Sequence, residues 1–181
     1  MLWSRSRVTI TAWVALSLLA VAVPASAQVA RRTLPPSVSV HAGAFFFDLS
    51  GTGTAPMVAI RATRSLSRVA LLEPGIVAAF PEQQFGERTT FLAPEVQLQF
   101  QWPNSRLAPY VGFGGGFVAD IASEEVGGTD FDVTMSGGIG LRAVLGDRLG
   151  FQADARVRGI GAGFQGSASE LTAGVMWQFG R

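Results

Sequence analysis

Beyond residue 36 the chain repeatedly alternates apolar and polar positions with a period of two. The stretch FLAPEVQLQFQW (91–102) shows the pattern most cleanly. Leu92, Pro94, Val96, Leu98, Phe100 and Trp102 fall on one face; Ala93, Glu95, Gln97, Gln99 and Gln101 fall on the other. Successive side chains of an extended backbone point to opposite sides, so the pattern predicts a β-strand with two unlike faces. The same reading predicts strands over Ser37–Phe47, Pro56–Ser65, Val69–Phe80, Thr90–Trp102, Pro109–Ile121, Asp130–Ala143, Leu149–Gly159 and Ser169–Phe179. No segment among them repeats at 3.6 residues. Eight consecutive strands with no helix between them describe an all-β chain, expected to close as an eight-stranded antiparallel up-and-down barrel.

The faces sort consistently. One parity carries Val58, Ile60 and Ala62, then Leu72, Ile76 and Phe80, Val111, Phe113 and Phe117, Phe131, Val133 and Ile139, Phe151 and Val157, and Leu171 and Val175. The other parity carries Arg61, Glu73, Glu95, Asp132, Arg142, Asp154, Arg156 and Arg158. An eight-stranded barrel has an interior that side chains just fill. Its charges therefore either converge inside, with the apolar set on the outside, or the reverse. Pro74 and Pro94 fall inside strands, where each removes a ladder hydrogen bond, so bends are expected there.

Composition decides between the two arrangements. Only 15% of residues are charged, 22 are Gly, and every basic residue is Arg. A soluble β-protein guards its exterior with Lys and other charges, and this chain has no Lys to use. The apolar set is thus predicted to face lipid, making the barrel a transmembrane one. The predicted strands are long enough to cross a hydrocarbon layer at a tilt, which takes about 9–11 residues. Trp102, Tyr110, Trp177 and Phe179, at strand ends, are expected in aromatic girdles at the two interfaces. Odd-numbered connections are eight or nine residues long and even-numbered ones three to six, the asymmetry of a barrel with short turns on one side of the membrane. The rival arrangement is a secreted, lipocalin-like barrel whose apolar face lines a cavity for a hydrophobic ligand.

The N-terminus carries its own signal. Arg5 and Arg7 precede an apolar run, Ala12–Val23, and an Ala25-Ser26-Ala27 site, as in a cleaved signal peptide. Residues 1–27 are assigned to it, 28–36 to a linker and 37–181 to the barrel. Removing the first 27 residues changes the charge count from +14/−13 to +12/−13. A near-neutral chain argues against a nucleic-acid partner. The absence of cysteine excludes disulfides, thiolate metal sites and an acylated anchor.

Little else points to chemistry. His41 is the single histidine, and the hairpin alignment places it opposite Arg61. No nucleophile, base and acid are spaced as a triad, so no catalytic residue, cofactor or metal ligand is assigned; a barrel enzyme acting on lipid would rest on His41 alone. Gly161-Ala-Gly163-Phe-Gln-Gly166 spells a dinucleotide fingerprint but joins two strands, with no helix to hold a pyrophosphate. What remains is the lumen charge network: Arg61, Glu73, Glu95, Asp132, Arg142, Asp154, Arg156, Arg158 and Glu170. Buried charges must pair, so Glu95 requires an arginine, and folding the last hairpin about Phe164 brings Arg158 opposite Glu170.

APYVGFGGGF (108–117) and SGGIGLRAVLGDRLGFQADARVR (136–158) resemble the OmpA-type transmembrane domain of the small bacterial outer-membrane β-barrels. The resemblance spans residues 37–179 and implies an eight-stranded barrel placed in the outer membrane by the barrel-assembly machinery. Outer-membrane lipid is then its surrounding partner, a monomer is expected, and the role is structural, surface-interacting or that of a minor pore. Two features depart from the family: no peptidoglycan-binding domain follows the barrel, and Phe179 is followed by Gly180 and Arg181 rather than ending the chain.

Overall fold

A computed structural model describes residues 34–47, 53–81, 90–102, 107–121, 129–161 and 166–179. The expected signal peptide and most of the expected linker lie outside the described residues. Eight strands follow in chain order: β1 Ser37–Phe47, β2 Thr54–Ser65, β3 Ala70–Ala79, β4 Thr90–Gln101, β5 Leu107–Ile121, β6 Thr129–Val144, β7 Leu149–Ile160 and β8 Gly166–Gln178. Each pairs antiparallel with the next, and β8 returns to β1 to close the barrel.

Closure is staggered. Tracing cross-strand partners from Phe45 through Glu170, Arg156, Gly138, Gly112, Gln99, Leu71 and Ser65 comes back level with residue 35, ten residues before the start. With a rise of about 3.3 Å per residue and strands about 4.8 Å apart, a shear of ten over eight strands tilts them by about 40°. Strands of 10–16 residues at that tilt have the length a bilayer requires.

The prolines interrupt the ladder without adding a bulge. The β2–β3 ladder is interrupted between Arg61↔Gly75 and Arg64↔Leu72, beside Pro74, and the β4–β5 ladder between Leu92↔Ala119 and Glu95↔Gly116, beside Pro94. Register is the same on either side of each gap, so neither proline introduces a bulge. Both remain paired across β3–β4, as Pro74↔Val96 and Ile76↔Pro94. Each turns its missing N–H toward the far neighbour, and the barrel absorbs two local losses.

The two faces separate as the alternation predicts. Val58, Ile60, Phe113, Phe117, Val133, Met135, Leu171 and Val175 are all exposed on the outside, while Glu95, Gln97, Gln99, Arg142, Arg156 and Arg158 are buried within. This arrangement overturns the lipocalin-like alternative, in which the apolar set would line the cavity.

The described turns at one end are short: 66–69 between β2 and β3, and 145–148 between β6 and β7. Connections at the other end run over 48–53, 80–89, 122–128 and 161–165. The contrast is smaller than the sequence suggests, because β2 and β8 begin before their expected starts. The first and last strands both meet the short-turn end, where the amide N–H of Phe179 donates to the carbonyl of Pro36 at 2.8 Å.

Candidate functional site

Two layers dominate the described interior. Toward the long-loop end lies an apolar plug of Phe45, Ala55, Met57, Ala59, Val77, Ala79, Phe91, Ala93, Val118 and Ala168. The Phe45 ring packs against those of Phe47 and Phe91 at 4.8 and 5.0 Å between centroids. Sequence reasoning missed this layer, although a signal was present. At that end, FFF (45–47) and IVAAF (76–80) are apolar on both parities, so the inner face is apolar too.

Below the plug lies the charged layer. Its four arginines (Arg61, Arg142, Arg156 and Arg158) and four carboxylates (Glu73, Glu95, Asp154 and Glu170) are all buried and balance to zero. Arg156 on β7 is the hub. Its Nε donates to Asp154 Oδ1 at 2.7 Å, Nη1 to Glu95 Oε1 at 2.5 Å and Nη2 to Glu73 Oε1 at 2.7 Å. Each of those acids holds a second arginine. Arg142 Nη2 reaches Glu73 Oε2 at 2.8 Å, Arg158 Nη2 reaches Glu95 Oε2 at 2.9 Å, and Arg61 Nη1 reaches Asp154 Oδ2 at 2.7 Å. Arg158 Nε closes the chain on Glu170 Oε1 at 2.6 Å. Cation and anion alternate along the whole path, so no like charges need sit as nearest partners, and the low-dielectric cost of burial is met by direct pairing.

Neutral groups complete the layer. Glu73 also accepts from Thr63 Oγ1 at 3.2 Å, Gln99 Nε2 at 2.8 Å and Gln152 Nε2 at 3.2 Å. Ser136 Oγ donates to Glu95 at 3.0 Å. Arg142 Nη2 also bonds Gln99 Oε1, and its guanidinium carbon lies 4.3 Å from the centroid of the Tyr110 ring. Space for these long side chains comes from glycine on neighbouring strands. Gly140 stands directly opposite Tyr110, and a Cβ there would fall on the phenol ring.

Several sequence assignments need correction. Tyr110 is not in a girdle: it is 2% exposed, points inward beneath Arg142, and its hydroxyl accepts from Gln152 at 2.9 Å. It shares parity with Gly112 and Gly114, so its phenol fills the space beside Gly140. Asp132 has inward parity but is exposed near the long-loop end of β6, above the charged layer and outside it. His41 stands opposite Ala59, and Ser39 opposite Arg61. Arg158 stands opposite Ala168, and Arg156 opposite Glu170. Both hairpin alignments were displaced by two residues, because alternation fixes only the parity of a pairing and the turn decides which residues of that parity meet. Arg158 nevertheless reaches Glu170 diagonally. Trp102, Trp177 and Phe179 are exposed at the short-turn end.

Ser39, His41 and Asp154 come together unexpectedly. Ser39 Oγ and His41 Nε2 are 2.9 Å apart, and His41 Nδ1 lies 3.9 Å from Asp154 Oδ2. The resemblance to a triad stops there. Both Asp154 oxygens accept from arginines at 2.7 Å, 3.9 Å is beyond hydrogen-bond range, and Ser39 and His41 are 2% and 1% exposed. Among the described residues no group of three or more His, Asp or Glu could hold a metal ion. The glycine fingerprint is only partly described: Gly161, at φ +82°, closes β7, and Gly166 opens β8.

A closed barrel, apolar outside and charged within, narrows the comparison to membrane barrels. A family profile described as "Outer membrane protein beta-barrel domain" matches residues 13–179. The chain belongs to that family. As an outer-membrane barrel it is similar in fold to Neisserial surface protein A, with a TM-score of 0.68 at 15% identity over 80% of this chain and 97% of that one. It is similar to Ail, the attachment invasion locus protein of Yersinia pestis, with a TM-score of 0.59 at 9% identity over 82% and 100% of the two chains. The N-terminal barrel of Pseudomonas aeruginosa OprF gives 0.54 at 17% identity over 79% and 97%. A search of curated proteins finds no significant match.

Proposed function

We propose that this outer-membrane barrel is a closed scaffold that presents its long loops at the cell surface, and that it neither conducts ions nor catalyses a reaction. The carrying observation is the doubly filled lumen. An apolar plug resists wetting, and beneath it four arginines and four carboxylates pair in one buried network, which leaves only Arg61 Nε, Arg142 Nη1 and Glu170 Oε2 among their described polar atoms without a partner. A conducting path would need both layers to open together.

The loops define the partner's chemistry. The long connections carry Asp48, Glu82, Glu87, Glu124 and Glu125 against the single Arg88, so they suit a cationic or cation-bridged partner. Ail has been solved with the heparin analogue sucrose octasulfate; loops as acidic as these would repel such a polyanion. The barrel reaches its membrane through the signal segment ending at Ala27 and the barrel-assembly machinery, and it works as a monomer.

Planar-bilayer recording tests the proposal. The parent chain is expected to give no steady openings. Steady ohmic channels in the parent would overturn the closed reading. Conductance that appears only on reversing Glu73, Glu95 or Asp154 to Lys would place the barrier in the charged layer.

A further inference from the structure

Beyond the lumen, the charges of this barrel are divided between its two ends. By connectivity, eight of the nine acidic residues outside the charged layer belong to the long-loop end, Asp147 being the exception. Of the arginines on strands and connections outside that layer, Arg64, Arg68, Arg106 and Arg148 belong to the short-turn end, and Arg88 alone to the other.

Among the described residues at the short-turn end, arginine recurs beside tryptophan. Arg64 is exposed on the lipid-facing parity of β2, opposite Leu72. Arg68 lies in the β2–β3 turn, and its carbonyl accepts from the side chain of Gln101, the neighbour of the exposed Trp102. Arg148 lies in the β6–β7 turn, and its carbonyl accepts the amide of Gln178 at 2.8 Å, next to the exposed Trp177. All three arginines are exposed and stand outside the ion-pair network of the lumen. Leu66, Val69, Leu145 and Leu149, in or beside the same turns, are exposed and apolar.

Tryptophan rings settle at headgroup depth, and an arginine stem can lie along apolar surface while its guanidinium reaches outward. We propose that Arg64, Arg68 and Arg148 form a collar that binds the phosphates of anionic phospholipids in the periplasmic leaflet. Charge complementarity selects the occupant. A basic residue near an anionic leaflet favours it by ~1 kcal/mol, about fivefold. The collar rests on the barrel standing in the outer membrane with its short turns inward. It would fix the barrel's depth and orientation by holding the end that carries no long loops.

The two tryptophans report on the collar directly, because the chain's other two, Trp3 and Trp13, lie in the signal segment. The full chain with Trp3 and Trp13 replaced by Phe is reconstituted in phosphatidylcholine vesicles. Either brominated phosphatidylglycerol or brominated phosphatidylcholine is added at equal mole fraction, and fluorescence quenching gives the relative occupancy near the tryptophans. A preference for phosphatidylglycerol of about fivefold is expected, falling toward parity in molar salt and in R64Q/R68Q/R148Q, and retained in the matching lysine variant. Heat-modifiable gel migration confirms that each variant is folded. Should the triple glutamine variant not fold, R148Q read through Trp177 in a W102F background carries the same expectation. Equal quenching by the two lipids in the parent overturns the proposal. A preference that survives loss of the arginines, or that folded lysine variants lack, overturns it equally.

Discussion

Replacing Arg156 by Met removes the hub of the charged layer while keeping most of its stem. Three charge-assisted bonds are lost, to Asp154, Glu95 and Glu73, at 2.7, 2.5 and 2.7 Å. At about 1.5–3 kcal/mol for each bond to a charged group, the gross loss is ~4–9 kcal/mol. None of the three carboxylates is orphaned, since Arg61, Arg158 and Arg142 each retain one. The expected cost is therefore near the lower end, ~4 kcal/mol, within the range for breaking a buried ion pair. What remains is one uncompensated negative charge in the lumen. Adding Glu73→Gln removes that charge, so the second substitution should be milder in the R156M background than in the parent, with a coupling of at least ~1 kcal/mol. Urea titration of the barrel in vesicles, scored by loss of the compact heat-modifiable band, measures all three variants. A cost for R156M below about 1 kcal/mol, or strict additivity of the two substitutions, would refute the hub.

Two further substitutions probe the packing. Gly140→Ala places a methyl on the Tyr110 ring and should cost about 1–3 kcal/mol as overpacking, whereas Gly137→Ala, with no atom nearer than 3.9 Å, should be neutral or slightly stabilising; the same urea titration compares them, and equal effects would contradict the inward placement of Tyr110. Phe45→Ala opens a cavity in the apolar plug, where Phe45 is fully buried, and should cost about 3–5 kcal/mol without creating steady conductance while the charged layer stands; steady channels in this variant would assign the barrier to the plug alone.

Face assignment was legible in the sequence because each strand borders two unlike media, and alternation reports that contrast residue by residue. Arg61, Glu73, Glu95, Arg142, Asp154, Arg156, Arg158 and Glu170 all point inward, as their parity required. Register was not legible. It depends on how many residues each turn consumes, so His41 and Arg158 were each aligned two residues from their true partners. Height was equally hidden: Asp132 has the right parity but stands too near the long-loop end to reach the arginines. Tyr110 was misjudged because a tyrosine at a strand end fits a girdle as readily as a lumen, and only its parity with Gly112 distinguished the two. The apolar plug left its signal in runs such as IVAAF, which are apolar on both parities and so break the alternation.

The central claim is that β4 turns Val96, Leu98 and Phe100 to lipid and seals Gln97 and Gln99 in a dry interior. The absence of cysteine permits a clean test by single-cysteine nitroxide labelling of residues 96–100 in vesicles. Oxygen, which concentrates in lipid, should collide strongly with labels at 96, 98 and 100, and labels at 97 and 99 should be shielded from both oxygen and a water-soluble nickel complex. Strong nickel collisions at 97 and 99 would mean a water-filled lumen, and oxygen maxima at those positions would invert the barrel; either result contradicts the account.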